Sequence, residues 1–300
     1  MSTFGLSERR TAYAGLARGG GGFAMVALDQ RGSLDTMLRA AGQTLDQAQV
    51  DGFRASTVRA LAPLASAVLL ERGFLGRNRQ PGSWPEPCGL IVAADELVQR
   101  PDQPVEDSRL DRTAVPLARD LGAQALKLLV LWYAGESNAA QAATVDEFVE
   151  LAHDNGMLAL VEGIVRPGRG PAAKPPSGAD LIDSAVRFSR GADIYKAQVP
   201  VHDGDAPEEV ERLSRELTAR LNCPWVVLST GITSAMFPSL VAAACRGGAS
   251  GFLAGRAIWS TSLGASDTVS HLVGPAADGL RELVKIVDAE ARPWPEAVLR

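Results

Sequence analysis

The chain has 300 residues, 46% hydrophobic and 22% charged, a composition that sustains a large buried core and excludes a disordered polymer. Thirty basic against 35 acidic side chains leave a net charge of −5, which argues against a nucleic-acid partner. No signal-peptide core opens the chain and no apolar run nears the ~20 residues of a bilayer span, so a cytoplasmic protein away from membranes is expected.

In chain order, residues 1–20 read as an N-terminal extension with a helix, and the glycines at 19–22 as a linker into the first strand. Apolar runs suited to strands then fall at 22–29, 65–71, 88–94, 125–132, 158–165, 192–199, 224–229 and 250–255. They are nearly continuous rather than alternating, as strands covered on both faces require. Amphipathic stretches at 46–62, 142–155, 178–190, 207–221, 233–247 and 276–291 predict the intervening helices, with Asp46, Thr144 and Ser234 as caps. Eight strands alternating with helices predict one α/β domain, a (β/α)8 TIM barrel over 21–292. An open doubly wound sheet is the alternative, but no G-x-G-x-x-G follows the first strand. The Pro- and Gly-rich stretch 166–178 is expected to be a substrate-facing loop. Cys88, Cys223 and Cys245 lack metal-ligand spacing and read as small buried hydrophobes.

Barrel chemistry sits where strands end and βα loops begin, so polar residues late in apolar strands are the candidates. They are Asp29 and Arg31 on the first strand, Lys127 on the fourth, Glu162 on the fifth, Lys196 on the sixth and Arg256 just past the eighth. Lysines are almost never buried without a purpose or a partner. A lysine partly desolvated beside another ammonium offers a neutral amine near neutral pH, able to form a Schiff base with a ketone. Glu162 is placed to shuttle protons, and Asp29 to orient a hydroxyl or accept its proton. Ser229-Thr230-Gly231 and Gly255-Arg256 close the last two strands, where backbone N–H groups and a guanidinium suit a phosphate. Arg31 and Arg166 share strand parity with Asp29 and Glu162, so either is a candidate for a distal anion. A non-covalent phosphosugar isomerase and a silent sensor barrel are the competing readings.

The segments that begin at Gly22 (Gly-Phe-Ala-Met-Val-Ala-Leu-Asp-Gln-Arg), Ile91 (Ile-Val-Ala-Ala-Asp-Glu) and Ala125 (Ala-Leu-Lys-Leu-Leu-Val-Leu-Trp) resemble class I ketose-phosphate aldolases. So do those at Ala192 (Ala-Asp-Ile-Tyr-Lys-Ala-Gln-Val-Pro), Val227 (Val-Leu-Ser-Thr-Gly-Ile) and Gly248 (Gly-Ala-Ser-Gly-Phe-Leu-Ala-Gly-Arg-Ala-Ile-Trp). That family joins tagatose-bisphosphate aldolase with 6-deoxy-6-sulfofructose-1-phosphate aldolase, and most of the shared wording looks nearer the sulfofructose branch. Arg31-Gly-Ser-Leu looks more like the tagatose branch. The resemblance implies Lys196 as the Schiff-base lysine, Glu162 as acid/base, and Asp29, Gln30 and Lys127 beside them. It implies that Arg256, Ser229, Gly231 and Gly255 hold the anionic end of a phosphorylated ketose or sulfoketose. No metal and no cofactor are expected, and a homo-oligomer is, with 233–247 as a contact surface.

Overall fold

The computed structural model describes residues 4–43, 46–78, 88–100, 103–169, 176–198, 207–229 and 231–298. Its strands are β1 Phe23–Leu28, β2 Ala67–Glu71, β3 Gly89–Ala93, β4 Asp95–Val98, β5 Asp107–Leu110, β6 Ala125–Tyr133, β7 Leu158–Arg166, β8 Ile194–Ala197, β9 Trp225–Val227 and β10 Gly251–Ala254. Eight of them close a parallel barrel in the order β1-β10-β9-β8-β7-β6-β3-β2. Every expected strand lies in this wall, and closure removes the open-sheet alternative. Val199, at the end of the sixth expected strand, lies outside the described residues.

Side-chain parity divides the core. Met25, Ala27, Leu69, Ile91, Leu160, Ile194, Val226 and Leu253 fill the barrel's interior, whereas Val26, Val68, Val92, Leu126, Val161, Tyr195 and Phe252 pack outward under the helices. This two-sided burial is why the strands read as unbroken apolar runs. The helix Leu6–Leu16 seals the end where the strands start: Tyr13 and Leu16 join the inner cluster, and Tyr13 stacks on Trp294 at 4.6 Å. Chemistry is thereby confined to the opposite end.

The expected helices appear as Gln47–Leu61, Ala139–Asp154, Gly178–Phe188, Pro207–Arg220, Phe237–Arg246 and Ala277–Glu290. Asp46 caps the first, accepting from the Gln49 N–H. Thr144 and Ser234 are not caps. Asn138 starts the second helix from a left-handed φ of 49°, its amide bonded to both the N–H and the carbonyl of Tyr133, and Thr144 lies inside the helix, donating to Ala140 O. The helix expected from 233 starts at Phe237 after Met236. Its Phe237, Leu240, Val241, Ala243 and Ala244 are buried within this chain, so that apolar face is not a contact surface for another copy. The glycines at 19–22 are a built turn rather than a loose linker: Arg18 N–H donates to Gly22 O, Gly21 N–H donates to Arg18 O, and Trp294 N–H donates to Gly21 O. Residues 170–175 of the expected loop lie outside the described residues.

The α-helices Gly32–Ala40, Arg72–Arg77, Ala114–Asp120, Arg256–Trp259, Thr268–His271 and Trp294–Val298 were not expected, nor was the antiparallel hairpin β4–β5. The hairpin leaves the barrel directly after β3 and stands at the open end, tied to β6 through Ser108, whose hydroxyl donates to Leu129 O.

One glycine is indispensable to closure. Gly251 opens β10 at φ +130°, and a Cβ there would sit 1.9 Å from Phe23 O of the neighbouring strand. Gly251→Ala should therefore lower unfolding free energy by at least about 2 kcal/mol, read as a shift in urea midpoint.

Candidate active site

The open end holds a cavity of about 520 Å³. Lys127, Glu162 and Lys196 rise into it from β6, β7 and β8, and Asp29 stands one residue past β1. The register places Glu162 directly beside Lys196, so the two side chains share a level of the barrel. Gln30, Arg166, Ser229, Gly231, Gly255 and Arg256 also line the cavity; Thr230 lies outside the described residues. Arg31 does not line it. Strand parity ends with β1 at Leu28, and Arg31, at φ −108° and ψ −98°, stands just before the helix Gly32–Ala40 and lines an adjoining cavity.

The centre of the site is an ammonium in a cage. Lys127 Nζ lies 2.8 Å from Asp29 Oδ2, 3.0 Å from Asp95 Oδ2 and 2.8 Å from Glu162 Oε2, with its side chain only 1% exposed. Burial works against the charged form, but the three carboxylates outweigh it and hold Lys127 well above the usual lysine range. Burial likewise works against ionised Asp29, yet Lys127, Lys196 and Arg31 keep its carboxyl well below the usual carboxylate range. Asp29 is thus a fixed anion and Lys127 a fixed cation.

Glu162 joins the two lysines, with Oε2 on Lys127 and Oε1 3.0 Å from Lys196 Nζ. This alters the electrostatic reading taken from the sequence. A bare ammonium beside Lys196 was expected to favour the neutral amine, but the carboxylate of Glu162 stands between them and the charge on Lys127 is already met three times over.

Asp95 was missed as a candidate, although it ends an apolar run as Asp29 does. Its Oδ2 accepts from Lys127 and from the Leu129 N–H at 2.9 Å, and its Oδ1 accepts from Arg31 at 3.0 Å. The carboxylate thereby links the hairpin, β6 and the first βα loop.

The cavity's other end is cationic. Arg166 is lowered by burial and by neighbouring Arg256, against an opposing effect of Tyr133. Like charges held close together suit a multiply charged anion. Arg166 Nε and Gln30 Oε1 are buried without a hydrogen-bond partner among the described residues, leaving capacity that a bound ligand can use. At Gly255 a Cβ would stand 2.5 Å from Ala27 O and 2.9 Å from Gln30 Nε2, so only glycine fits beside that glutamine. The cysteines are elsewhere: burial pushes the thiols of Cys88, Cys223 and Cys245 up to about 12.

Removing the caged cation strands three buried carboxylates. Lys127→Met should lose about 3 kcal/mol or more of stability at neutral pH. In the parent protein the depressed Asp29 adds stability above the unfolded carboxylate range and loses it as pH falls further. In the variant Asp29 loses the cation that does most to depress its buried carboxyl, which titrates upward, so stability should instead rise on acidification from pH ~7 to ~5. Urea unfolding across that window measures the reversal.

Residues 23–261 match the family model of the DeoC/LacD family aldolases. A tagatose 1,6-diphosphate aldolase 2 from a serotype M3 strain of Streptococcus pyogenes is 25% identical, over 90% of this chain and 92% of that one. A tagatose 1,6-diphosphate aldolase from a serotype 4b strain of Listeria monocytogenes is 26% identical, over 91% and 90%. Fructose-bisphosphate aldolase from Plasmodium falciparum, solved in complex with TRAP and a small-molecule inhibitor, shares the fold with a TM-score of 0.72 at 13% identity over 95% of each chain. These relatives carry the tagatose name, not that of the sulfofructose branch to which the motif wording pointed. No helix among the described residues is long and apolar enough to cross a membrane. The chain belongs to the DeoC/LacD aldolase family and is an aldolase, a carbon–carbon lyase of carbohydrate metabolism.

Proposed function

We propose that the protein cleaves tagatose 1,6-bisphosphate to dihydroxyacetone phosphate and glyceraldehyde 3-phosphate by a class I mechanism with Lys196 as the imine-forming amine. The observation that carries this is the contact of Glu162 with both lysines, 3.0 Å from Lys196 Nζ and 2.8 Å from Lys127 Nζ, on the floor of a cavity large enough for the sugar. The names of the relatives support the substrate.

Lys196 in its neutral form adds to the C2 carbonyl. A solvent proton turns the resulting alkoxide into the carbinolamine hydroxyl, and Glu162 Oε1 takes the proton that the amine sheds and returns it to that hydroxyl, which leaves as water and gives the iminium. The same carboxylate then removes the C4 hydroxyl proton, directly or through water. The C3–C4 electron pair moves into the iminium, and the aldehyde departs. The enamine is protonated at C3 and hydrolysed by water, which frees dihydroxyacetone phosphate and restores the amine.

Lys127, always charged, donates to the oxygen on which negative charge grows, and its cage keeps it from moving as that charge appears. Asp29, always ionised, serves as an acceptor that orients a substrate hydroxyl rather than as a proton donor. Arg166 and Arg256, with Ser229 and the backbone at Gly231 and Gly255, hold a phosphate.

A second reading, cleavage of 6-deoxy-6-sulfofructose 1-phosphate to dihydroxyacetone phosphate and 3-sulfolactaldehyde, is favoured by one feature of the cavity. Beyond the two lysines its described cations are Arg166 and Arg256, adjacent to one another, while Ser33, Thr36, Gln99 and Gln103 supply neutral polar groups. That asymmetry suits one dianion and one singly charged group.

A panel of the two ketoses and fructose 1,6-bisphosphate separates these readings. Tagatose bisphosphate should lead in kcat/KM by about tenfold or more, ~1.4 kcal/mol in the barrier; a lead of that size for the sulfonate would reverse the assignment. Lys196→Ala should lower kcat by about 10⁴-fold or more, and Glu162→Gln by about 10²- to 10⁴-fold. Full activity in Lys196→Ala would exclude the imine route.

A further inference from the structure

Asp29, Gln30 and Arg31 follow β1 and belong to no strand, yet each lines the active-site cavity or the adjoining one. Two of them are tied down by their own side chains, Asp29 to Lys127 at 2.8 Å and Arg31 to Asp95 at 3.0 Å. Gln30 differs. Its side chain lines the active-site cavity, but its buried Oε1 has no hydrogen-bond partner among the described residues. What holds Gln30 is its backbone: Arg54 Nη2, from the helix Gln47–Leu61, donates to Gln30 O at 2.6 Å.

Arg54 is itself held firmly. Its side chain is only 4% exposed and lines neither cavity. Asp51, one turn earlier on the same helix, and Glu71, at the end of β2, stand 3.4 and 3.5 Å from its Nη1. Both carboxylates have further partners that fix them in turn. Asp51 accepts from Arg77 at 2.6 Å, and Glu71 accepts from the N–H groups of Gly73 and Phe74. The guanidinium is therefore anchored on one side and presents its other N–H groups to the carbonyl, a use that needs a planar fork. Burying this charge costs several kcal/mol, a cost that a neutral side chain there would not carry.

We propose that Arg54, which never meets the substrate, is the positioning residue for Gln30. Its grip on the Gln30 carbonyl sets the peptide plane from which the glutamine side chain reaches into the cavity, so that Oε1 accepts a hydrogen bond from a hydroxyl of the ketose. Arg54 thus acts on ketose binding through the backbone of the first βα loop, while Asp29 and the proton-handling groups keep their own anchors. The inference rests on the reading of this cavity as the ketose site.

Steady-state cleavage of the ketose that leads the substrate panel, together with urea unfolding, tests it. Arg54→Met would strand Asp51 and Glu71, so the test uses Arg54→Lys, which keeps a cation between them and should unfold near the parent's urea midpoint. One ammonium cannot serve both carboxylates and the carbonyl in a plane. KM should therefore rise about three- to tenfold, the loss of one hydrogen bond to substrate, with kcat within about twofold of the parent. Gln30→Ala should show the same split. The double variant Arg54→Lys/Gln30→Ala should lose no more than Gln30→Ala alone, because one contact cannot be lost twice. An unchanged KM in Arg54→Lys, or a double variant whose KM rises by the product of the two single effects, would overturn the proposal. A parent-like KM in Gln30→Ala would overturn it too, and would leave the imine route, tested at Lys196, untouched.

Discussion

The buried ammonium of Lys127 is the constraint around which the open end of the barrel is built. Asp29 after β1, Asp95 after β3 and Glu162 in β7 converge on it, and Glu162 passes the connection to Lys196 in β8. Taking such charges out of water costs several kcal/mol per ion, which the cage offsets only with all partners present. What the arrangement provides is fixed geometry. Groups that must meet a developing charge are already oriented, and no water has to reorganise when that charge forms. The strands supply the rigidity: Glu162 and Lys196 sit opposite one another in an unbroken parallel ladder, so their separation does not depend on loop conformation.

Much of this was legible in the sequence because the barrel wall writes a strong pattern. Eight apolar runs, buried on both faces, stand out against amphipathic helices, and a lysine inside such a run is conspicuous. The hairpin β4–β5 and the helices Gly32–Ala40, Arg72–Arg77 and Ala114–Asp120 were not legible. They are short, partly exposed, and owe their form to tertiary contacts rather than to periodicity. Carboxylates late in strands were visible as a class, but the sequence does not separate their roles. Glu71 ends β2 as Asp29 ends the first run, yet it caps the next helix by accepting from the N–H groups of Gly73 and Phe74. Asp95 looked like part of a motif and proved to hold Lys127 in place.

The two arginines assigned by parity show where such an argument ends. Arg166 is the last residue of a nine-residue strand, so alternation carries through to it and it reaches the cavity. Arg31 lies beyond the end of β1, where the backbone has left the pleat, and it lines the adjoining cavity instead. The electrostatics of Lys196 were likewise beyond reach, because the position of Glu162 between two lysines is a matter of register rather than of residue type. Family membership establishes carbon–carbon bond cleavage, whereas the choice of ketose is part of the proposal and turns there on the cations that line the cavity.

The central claim is that Lys196 condenses with a ketone. Incubating the protein with dihydroxyacetone phosphate and borohydride, followed by peptide mass mapping, tests it most directly. The account predicts one stoichiometric adduct on Lys196, none on Lys127, and loss of activity in step with labelling. An active enzyme that leaves Lys196 unmodified under these conditions, or that is labelled at Lys127 instead, would contradict it.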